Sequence, residues 1–351
     1  MKLEGREWRD TYLLGKDMFS IKRFKSVTTT NLDEENGVLD IVGATSNNNG
    51  NVLFANKKYE DKLVNKNKIC LIKTGQGSVG DAVYKGNDFV PSNNISLIIK
   101  KDLNKFNASF IVTLINKGSD KYSYGYIRND KRIAREKLVL PITQKGTPDW
   151  QFMEKYAKSI FEKKEEKYID YIKGVLETLT YKKIKKLEEK EWREFPIESI
   201  GEIVSGKDIY SAERIDGNTP YISATSKNNG IGYFVGNSNK TLEKNCLSVN
   251  RNGSVGYSFY HPYKGLFSND CRKIRLKYDS TLVGFFISNQ ITKQKNKYNY
   301  GYKMGTGRIK RQKILLPINS KNEPDYAYME QYIRNMKYRK IKQYLVFKGE
   351  G

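Results

Sequence analysis

Short runs of apolar residues, separated by glycine and asparagine, fill most of each half of the chain. Examples are VLDIVGA (38–44), ICLIKT (69–74), ISLIIK (95–100) and KLVLPI (137–142). Runs of this length, rich in β-branched side chains and separated by turn formers, are typical of β-strands. The pattern predicts mixed, mostly β structure over residues 8–146 and again over residues 192–322.

A different periodicity follows each of these regions. Behind Asp149, apolar side chains recur every three or four residues, which is the spacing of one face of an α-helix. We predict one helix over residues 150–190, about 60 Å long at 1.5 Å per residue, with Asp149 as its N-cap. A shorter helix is predicted to begin behind Asp325 and to end near Phe347. The stripe predicted to pack consists of Met153, Ala157, Ile160, Ile172, Val175, Leu179 and Leu187.

Such a stripe needs a partner, because a lone helix cannot bury it. The most economical partner is the other long helix of the same chain. We therefore expect the two helices to pair antiparallel as a coiled-coil-like spacer.

The chain is a tandem duplication. Matching segments are ATSNNNG (44–50) with ATSKNNG (224–230), GSVG (77–80) with GSVG (253–256), and KYSYGY (121–126) with KYNYGY (297–302). Over residues 121–157 and their counterparts 176 positions later, 18 of 37 residues are identical. A period of this length indicates duplicated domains, because solenoid and propeller repeats span roughly 20 to 50 residues. We predict an α+β protein of two tandem mostly-β domains, each followed by a helix.

Charge points to the partner of these domains. The 351 residues contain 63 Lys and Arg against 39 Asp and Glu, a formal charge of +24. A field of this sign attracts polyanions, and nucleic acid is the leading one, although ribosomal surfaces, anionic membranes and acidic proteins would attract the same charge. The 25 tyrosines favour nucleic acid, because they supply stacking faces that an electrostatic membrane binder does not need.

Other features bound the setting. No apolar stretch approaches the roughly 20 residues that cross a bilayer, so a soluble cytoplasmic protein is expected. Three cysteines without a CxxC pair argue against a disulfide framework or a structural zinc site. Cys70 and Cys246 align in the repeat and are predicted to be buried strand residues.

Taken together, these duplicated motifs resemble the specificity subunit of type I restriction-modification systems and the closely similar subunit of type IIB systems. The similarity rests on the ATS-x-NNG, GSVG, KY-x-YGY, LP-I and PD-x-x-x-ME segments, and it covers almost the whole chain twice. It implies target-recognition domains at residues 1–148 and 191–324, a central spacer helix at 149–190 and a short C-terminal spacer helix at 325–351. Each domain would read one half of a split site in double-stranded DNA.

The resemblance also implies partners. The subunit would dock DNA adenine methyltransferase subunits, and in some systems a restriction or translocase subunit, through its helices. It would itself have no catalytic activity and no cofactor. S-adenosylmethionine, and for a type I system ATP and magnesium, would bind the partner subunits.

Candidates for DNA contact lie in three segments of each copy: the ATS-x-NNG segment, the GSVG turn and the residues before it, and the KY-x-YGY segment with the residues after it. Glycine lets backbone approach a phosphate closely, asparagine can pair with adenine, and lysine, arginine and tyrosine supply charge and stacking. In the first copy the candidates are Thr45, Ser46, Asn47, Asn49, Lys73, Gln76, Ser78, Lys121, Tyr122, Tyr124, Arg128 and Arg132. In the second copy they are Thr225, Ser226, Lys227, Asn229, Arg251, Asn252, Ser254, Lys297, Tyr298, Tyr300, Lys303, Arg308 and Lys310.

Each of these segments also has a purely structural interpretation. The GSVG segments are equally typical of tight strand connections, asparagine is an ordinary turn former, and one or two of the tyrosines can belong to the core. Positions that differ between the copies are expected to contact bases, since phosphate contacts should be shared. By a constant offset of 176 the differing pairs are Lys73 with Val249, Gln76 with Asn252, and Arg128 with Met304.

A catalytic function is disfavoured. Pro148, Asp149 and Glu162 imitate a nuclease metal motif, but the second copy keeps only the Pro-Asp pair, so helix capping is the preferred interpretation. A methyltransferase would show a [DN]-PP-[YF] segment, and no two prolines are adjacent. His261 is the only histidine, which excludes a histidine-based triad, and we assign it to a loop. A stand-alone DNA-binding regulator and a nuclease of unfamiliar type remain as alternatives.

Overall fold

The computed structural model describes residues 3–75, 77–123, 125–299 and 301–350. The chain divides into two compact units, residues 1–168 (unit 1) and residues 169–351 (unit 2). Each unit builds its own hydrophobic clusters from strands and helices.

Unit 1 is mainly β. Its strands are β1 (Trp8–Tyr12), β2 (Ser20–Lys22), β3 (Leu39–Val42), β4 (Asn51–Ala55), β5 (Lys68–Ile72), β6 (Ala82–Lys85), β7 (Val90–Pro91), β8 (Ile95–Ile99) and β9 (Lys137–Pro141). Its helices are α1 (Lys105–Lys117), α2 (Asp130–Arg135) and the first part of α3 (Trp150–Glu177). The strands form a central antiparallel sheet in the order β2-β8-β5-β6, a second sheet in the order β4-β3-β7, and the antiparallel pair β1-β9.

The position of β5 between two packed layers explains why its sequence is continuously apolar. Successive side chains of a strand point to opposite faces, and here both faces are covered. Ile69 and Leu71 belong to the cluster that contains Ile111 of α1. Cys70 and Ile72 pack on the other side, in the cluster that joins the central sheet to the second sheet.

Unit 2 repeats the arrangement. Its strands are β10 (Trp192–Pro196), β11 (Gly201–Ser205), β12 (Asp216–Ile222), β13 (Ile231–Val235), β14 (Cys246–Asn250), β15 (Ser258–His261), β16 (Leu266–Phe267), β17 (Cys271–Leu276) and β18 (Lys313–Pro317). Its helices, apart from the last turns of α3, are α4 (Ile197–Ile200), α5 (Thr281–Thr292), α6 (Thr306–Arg311) and α7 (Tyr326–Lys348). The sheet orders are β11-β17-β14-β15, β13-β12-β16 and β10-β18, which match unit 1 strand for strand. The predicted fold class of two tandem mixed domains is confirmed.

The predicted continuous helix to Lys190 was wrong. Helix α3 ends at Glu177, and its 28 residues correspond to about 42 Å rather than about 60 Å. The backbone beyond it is held by side chains of α7. The buried Asn335 bonds both the N–H and the carbonyl of Lys182, and Gln331 donates to the carbonyl of Thr180. These side-chain bonds replace the i→i−4 bonds that a continued helix would need.

The predicted packing stripe is only partly realised. Met153 is buried in the core of unit 1, and Ala157 and Ile172 are also buried, whereas Ile160 is exposed. Val175, Leu179 and Leu187 are half-buried. Because Leu179 and Leu187 lie beyond the end of α3, they cannot extend its stripe, and Leu187 packs against the core of unit 2 instead. Pairing of the two long helices as a coiled-coil-like spacer stays a prediction, as do the predicted domain boundaries.

Both predicted N-caps are present. The Asp149 carboxylate accepts a bond from the N–H of Phe152 at 3.0 Å and pairs with Arg6 at 3.0 Å. The carboxylate of Asp325 accepts one from the N–H of Tyr328 at 3.0 Å. The capping interpretation of both Pro-Asp segments is therefore confirmed.

Candidate DNA interface

The strand pairings give the true alignment of the two units. Ile69 lies opposite Tyr84 in unit 1, and Leu247 lies opposite Tyr260 in unit 2, so β5 and β14 match at an offset of 178 rather than 176. The glycine turn after β14 is two residues shorter than the one after β5, so the offset is 176 again from β6 and β15 onward. Cys70 and Cys246 are both buried, as predicted, but they do not occupy matching positions.

This alignment corrects a predicted pair. The N–H of Lys73 donates to the carbonyl of Asn94, and the N–H of Arg251 donates to the carbonyl of Asp270, its repeat equivalent. Lys73 therefore corresponds to Arg251, not to Val249. A basic side chain is kept at this position in both units.

Two glycines fix the turns after β5 and β14. A Cβ on Gly75 would lie 2.8 Å from the carbonyl oxygen of Ala44, and one on Gly253 would lie 2.4 Å from that of Ala224. Both have positive φ, 131° and 55°, which favours glycine. The glycine turn and the ATS loop of each unit therefore pack directly on each other.

The ATS loops are built by several of the side chains predicted to bind DNA. Thr45 accepts a bond from the N–H of Asn47, and Thr225 accepts one from that of Lys227, so both hydroxyls form the turn itself. Ser46 bonds the buried hydroxyl of Ser78 at 3.2 Å, which ties the loop to the glycine turn. These hydroxyls serve the loop, and DNA contact by the buried Ser78 is not supported.

Asn49 and Asn229 also have structural tasks. Both adopt left-handed backbone conformations, with φ of 51° and 54°, which asparagine tolerates well. The amide of Asn49 donates to the carbonyl of Tyr84, and that of Asn229 donates to the carbonyl of Tyr260. One N–H of the Asn49 amide therefore holds its loop, and the Asn229 amide donates to Tyr263 as well, so its nitrogen has two partners within unit 2.

Arg128 was predicted to contact DNA, and this prediction was wrong. Its side chain has no exposed surface and donates to Glu136 through Nε at 3.0 Å and through a terminal nitrogen at 2.7 Å. Its other terminal nitrogen donates to the carbonyl of Gly80 at 2.9 Å. The hydroxyl of Tyr122, buried at 8% exposure, bonds the same carboxylate, and Lys121 reaches it from the surface at 3.3 Å. Burial and the Glu136 charge raise the pKa of Tyr122 to about 12.

In unit 2 uncharged side chains occupy the positions of the buried Arg128–Glu136 ion pair. Met304, fully buried, replaces Arg128, and Gln312 replaces Glu136. The hydroxyl of Tyr298 donates to the side chain of Gln312. The difference between Arg128 and Met304 therefore compensates for the difference between glutamate and glutamine, because a buried ion without its partner is costly.

In each unit an arginine stacks on the last tyrosine of the KY-x-YGY segment, which is exposed. The guanidinium of Arg132 lies 3.6 Å from the ring centre of Tyr126, and that of Arg308 lies 4.0 Å from the ring centre of Tyr302. Tyr126 is 49% exposed and Tyr302 is 48% exposed. Both units thus present a solvent-facing cation–π pair at equivalent positions. The two tyrosines were missed, because alternation could not distinguish the exposed one from the buried ones.

Two adjoining clefts lie in unit 1, and Ile127 and Asn129, from the loop that follows Tyr126, line one of them. Their volumes are ≈ 460 Å³ and ≈ 500 Å³, and Lys73, Asn93 and Asp130 line both. We call them together the basic cleft. Its walls carry the charged side chains Lys22, Arg23, Lys73, Asp130 and Lys131.

Comparison with known proteins identifies the family. The model of the type I restriction modification DNA specificity domain matches residues 12–170 and 189–344. The specificity subunit S.BcgI of a type II restriction enzyme from Heyndrickxia coagulans is 34% identical over 331 residues, covering 93% of this chain and 94% of that protein. The chain belongs to the family of restriction-modification specificity subunits.

The fold agrees with this assignment. The S subunit of a type I restriction-modification system from M. genitalium aligns with a TM-score of 0.50 at 17% identity, covering 98% of this chain and 93% of that one. The predicted family and the function as a DNA specificity subunit with two recognition domains are confirmed. In this specificity subunit, no helix of the described residues is long and apolar enough to cross a membrane.

The remaining predicted residues of the specificity subunit occupy varied environments. Those exposed are Asn47, Lys121, Lys227, Lys297, Lys303, Arg308 and Lys310. Those half-buried are Lys73, Arg132, Ser226, Arg251, Asn252, Ser254 and Tyr298. Gln76, Tyr124 and Tyr300 lie outside the described residues. DNA contact by the exposed and half-buried groups stays a prediction.

His261 is part of the core of unit 2. It has no exposed surface, and its ring nitrogens bond the hydroxyls of Ser248 at 2.9 Å and Tyr263 at 3.2 Å. Burial lowers its pKa to about 4, so the ring is neutral at pH 7. The predicted loop role was wrong, since His261 is the last residue of β15. Within the described ranges, no three His, Cys, Asp or Glu side chains converge where a metal ion could bind.

Proposed function

We propose that this specificity subunit reads a bipartite DNA site, with unit 1 recognising one half and unit 2 the other. The observation that carries the proposal is the duplicated surface pair Tyr126–Arg132 and Tyr302–Arg308. A guanidinium held over an exposed ring offers both charge for phosphate and a flat face for stacking. Two such pairs, one in each unit, suit a site with two separated halves.

We further propose that catalysis belongs to partner subunits. A DNA adenine methyltransferase with S-adenosylmethionine would act at the bound site, and a restriction or translocase subunit would use ATP and magnesium. The groups in this chain that most resembled catalytic ones support this division. Asp149 is committed to a helix cap and to Arg6, and His261 is buried and neutral.

The two arginines allow a matched test, because each unit is the control for the other. The full-length chain would select duplexes from a randomised DNA pool at low salt, and the bound fraction would be sequenced. We expect enrichment of two short motifs at a fixed separation. Arg132→Ala should weaken selection of one motif, and Arg308→Ala should weaken selection of the other.

Several results would contradict the proposal. They include enrichment of a single motif, or equal loss of both motifs with either variant. Mixing the chain with a purified DNA adenine methyltransferase subunit tests the second part, and we expect methyl transfer to DNA from the mixture only. Methyl transfer to DNA by the purified chain alone would show that catalysis resides in this subunit.

A further inference from the structure

Three equivalent positions carry different side chains in the two units. They are the residue that follows β5 or β14, a residue of β8 or β17, and the first residue of α2 or α6. In unit 1 these are Lys73, Ser96 and Asp130. In unit 2 they are Arg251, Arg272 and Thr306. We call each set the variable triad of its unit.

The backbone holds both variable triads in the same way. Ser96 pairs with Leu71 across the central sheet of unit 1, and Arg272 pairs with Val249 across that of unit 2, which is the same register. The hydroxyl of Ser96 lies 3.4 Å from the Asp130 carboxylate. The Nε of Arg272 donates to the Thr306 hydroxyl at 2.7 Å. The scaffold is therefore shared, and only the side chains are exchanged.

In unit 1 the variable triad faces the basic cleft. Asp130 is exposed and is the one acidic side chain in the cleft wall, beside Lys73 and Lys131. Ser96 is short, which leaves the space between the strand and α2 open. The cleft therefore offers a carboxylate acceptor within a surface that attracts DNA.

In unit 2 the variable triad contains two arginines, and Arg251 lies two residues beyond Val249, the cross-strand partner of Arg272, so the two are diagonal neighbours on the sheet. Burial and then the charge of Arg251 lower the pKa of Arg272. Arg272 is held by Thr306 and by the carbonyl of Asn269, the latter at 2.7 Å. The Nε of Arg251 is shielded from solvent and has no hydrogen bond to any described residue. Because that nitrogen is shielded, the terminal nitrogens of Arg251 are the donors that an incoming acceptor would meet.

We propose that the variable triads determine which base each unit recognises, with Asp130 of unit 1 accepting from an exocyclic amino group and Arg251 of unit 2 donating to guanine. A carboxylate accepts from N4 of cytosine or N6 of adenine, whereas arginine pairs with O6 and N7 of guanine. Arg272, which is buried, is a positioning residue that supports Arg251. A DNA phosphate offers the same acceptor chemistry as the guanine edge, so the test must separate them.

Asp130→Asn is the first variant, because it keeps the shape of an exposed side chain. Asp120→Asn is its matched control, since it changes the same charge on another exposed residue of unit 1. The full-length chain would again select from randomised duplexes. We expect Asp130→Asn to change the preference at one position of one half-site by about tenfold, with the other half-site unchanged. The control should match the original chain.

Arg251→Gln tests unit 2. Loss of preference for guanine at one position of the other half-site supports base recognition. Equal weakening of binding to all sequences would assign Arg251 to a phosphate and overturn the proposal for unit 2. An unchanged motif with Asp130→Asn would overturn it for unit 1.

The inference rests on the proposed function, but the two can fail separately. If the original chain selects no bipartite motif, the proposed function fails. If it selects one and both variants select the same one, only the variable triads are refuted.

Discussion

Replacing the buried pair Arg128–Glu136 by its unit 2 counterparts offers a stringent test of the packing argument. Arg128→Met would leave the Glu136 carboxylate, whose side chain is 2% exposed, without its guanidinium. Glu136→Gln would leave a fully buried guanidinium without its carboxylate. Removal of one partner of a buried pair costs about 3–5 kcal/mol of unfolding free energy. Arg128→Met should fall near the lower value, because Lys121 and Tyr122 still contact the carboxylate.

The double variant should be much more stable than the sum of its parts predicts. Met304 and Gln312 occupy the same positions in unit 2, with Tyr298 donating to the glutamine. The remaining cost is the carbonyl of Gly80, which loses its donor at about 1–2 kcal/mol. We expect the double variant to lose roughly 2 kcal/mol, where independent effects would give about 6–10 kcal/mol.

Tryptophan fluorescence during denaturant unfolding would measure this. The chain has Trp8 and Trp150 in unit 1 and Trp192 in unit 2, so a Trp192→Phe background restricts the signal to unit 1. A double variant whose loss of unfolding free energy equals the sum of the two single losses would refute the compensation argument. So would a double variant less stable than either single one.

Two further predictions concern unit 2. Because the pKa of His261 falls from 6.5 to about 4 on folding, the unfolded chain binds a proton that the folded chain does not, so stability is lost as pH falls below 6.5. The free energy of unfolding should decrease by about 1.5 kcal/mol between pH 6.5 and pH 5, and His261→Gln should abolish that part of the slope; an identical slope in both proteins would disprove the assignment. Gly253→Ala should destabilise the chain by more than about 2 kcal/mol, because its Cβ would meet the Ala224 carbonyl at 2.4 Å with φ at 55°. Gly77→Ala, at positive φ but with open space around it, should cost only about 1 kcal/mol, and equal losses in the two variants would contradict the close-approach argument.

The sequence by itself determined the duplication, the fold class, the strand-rich domains, the two helix starts and the family. These properties are local or periodic. A continuous apolar run such as that of β5 is dictated by burial on both faces, and Asp149 caps a helix wherever its own backbone allows it. The charge of +24 likewise needs no structure to indicate a polyanion.

Only the tertiary structure decided which polar residues face outward. Arg128, two residues after Tyr126 in the same short loop, is buried because Glu136, directly after α2, neutralises it, and no local pattern shows that pairing. The end of α3 depended on Asn335 and Gln331, which are more than 150 residues away in the chain. The correspondence of Lys73 with Arg251 required the strand register, because a two-residue difference in the turns hides it from a constant offset. Long-range hydrogen bonds and register are set by the assembled sheets, and they determined which of the basic side chains remain available to DNA.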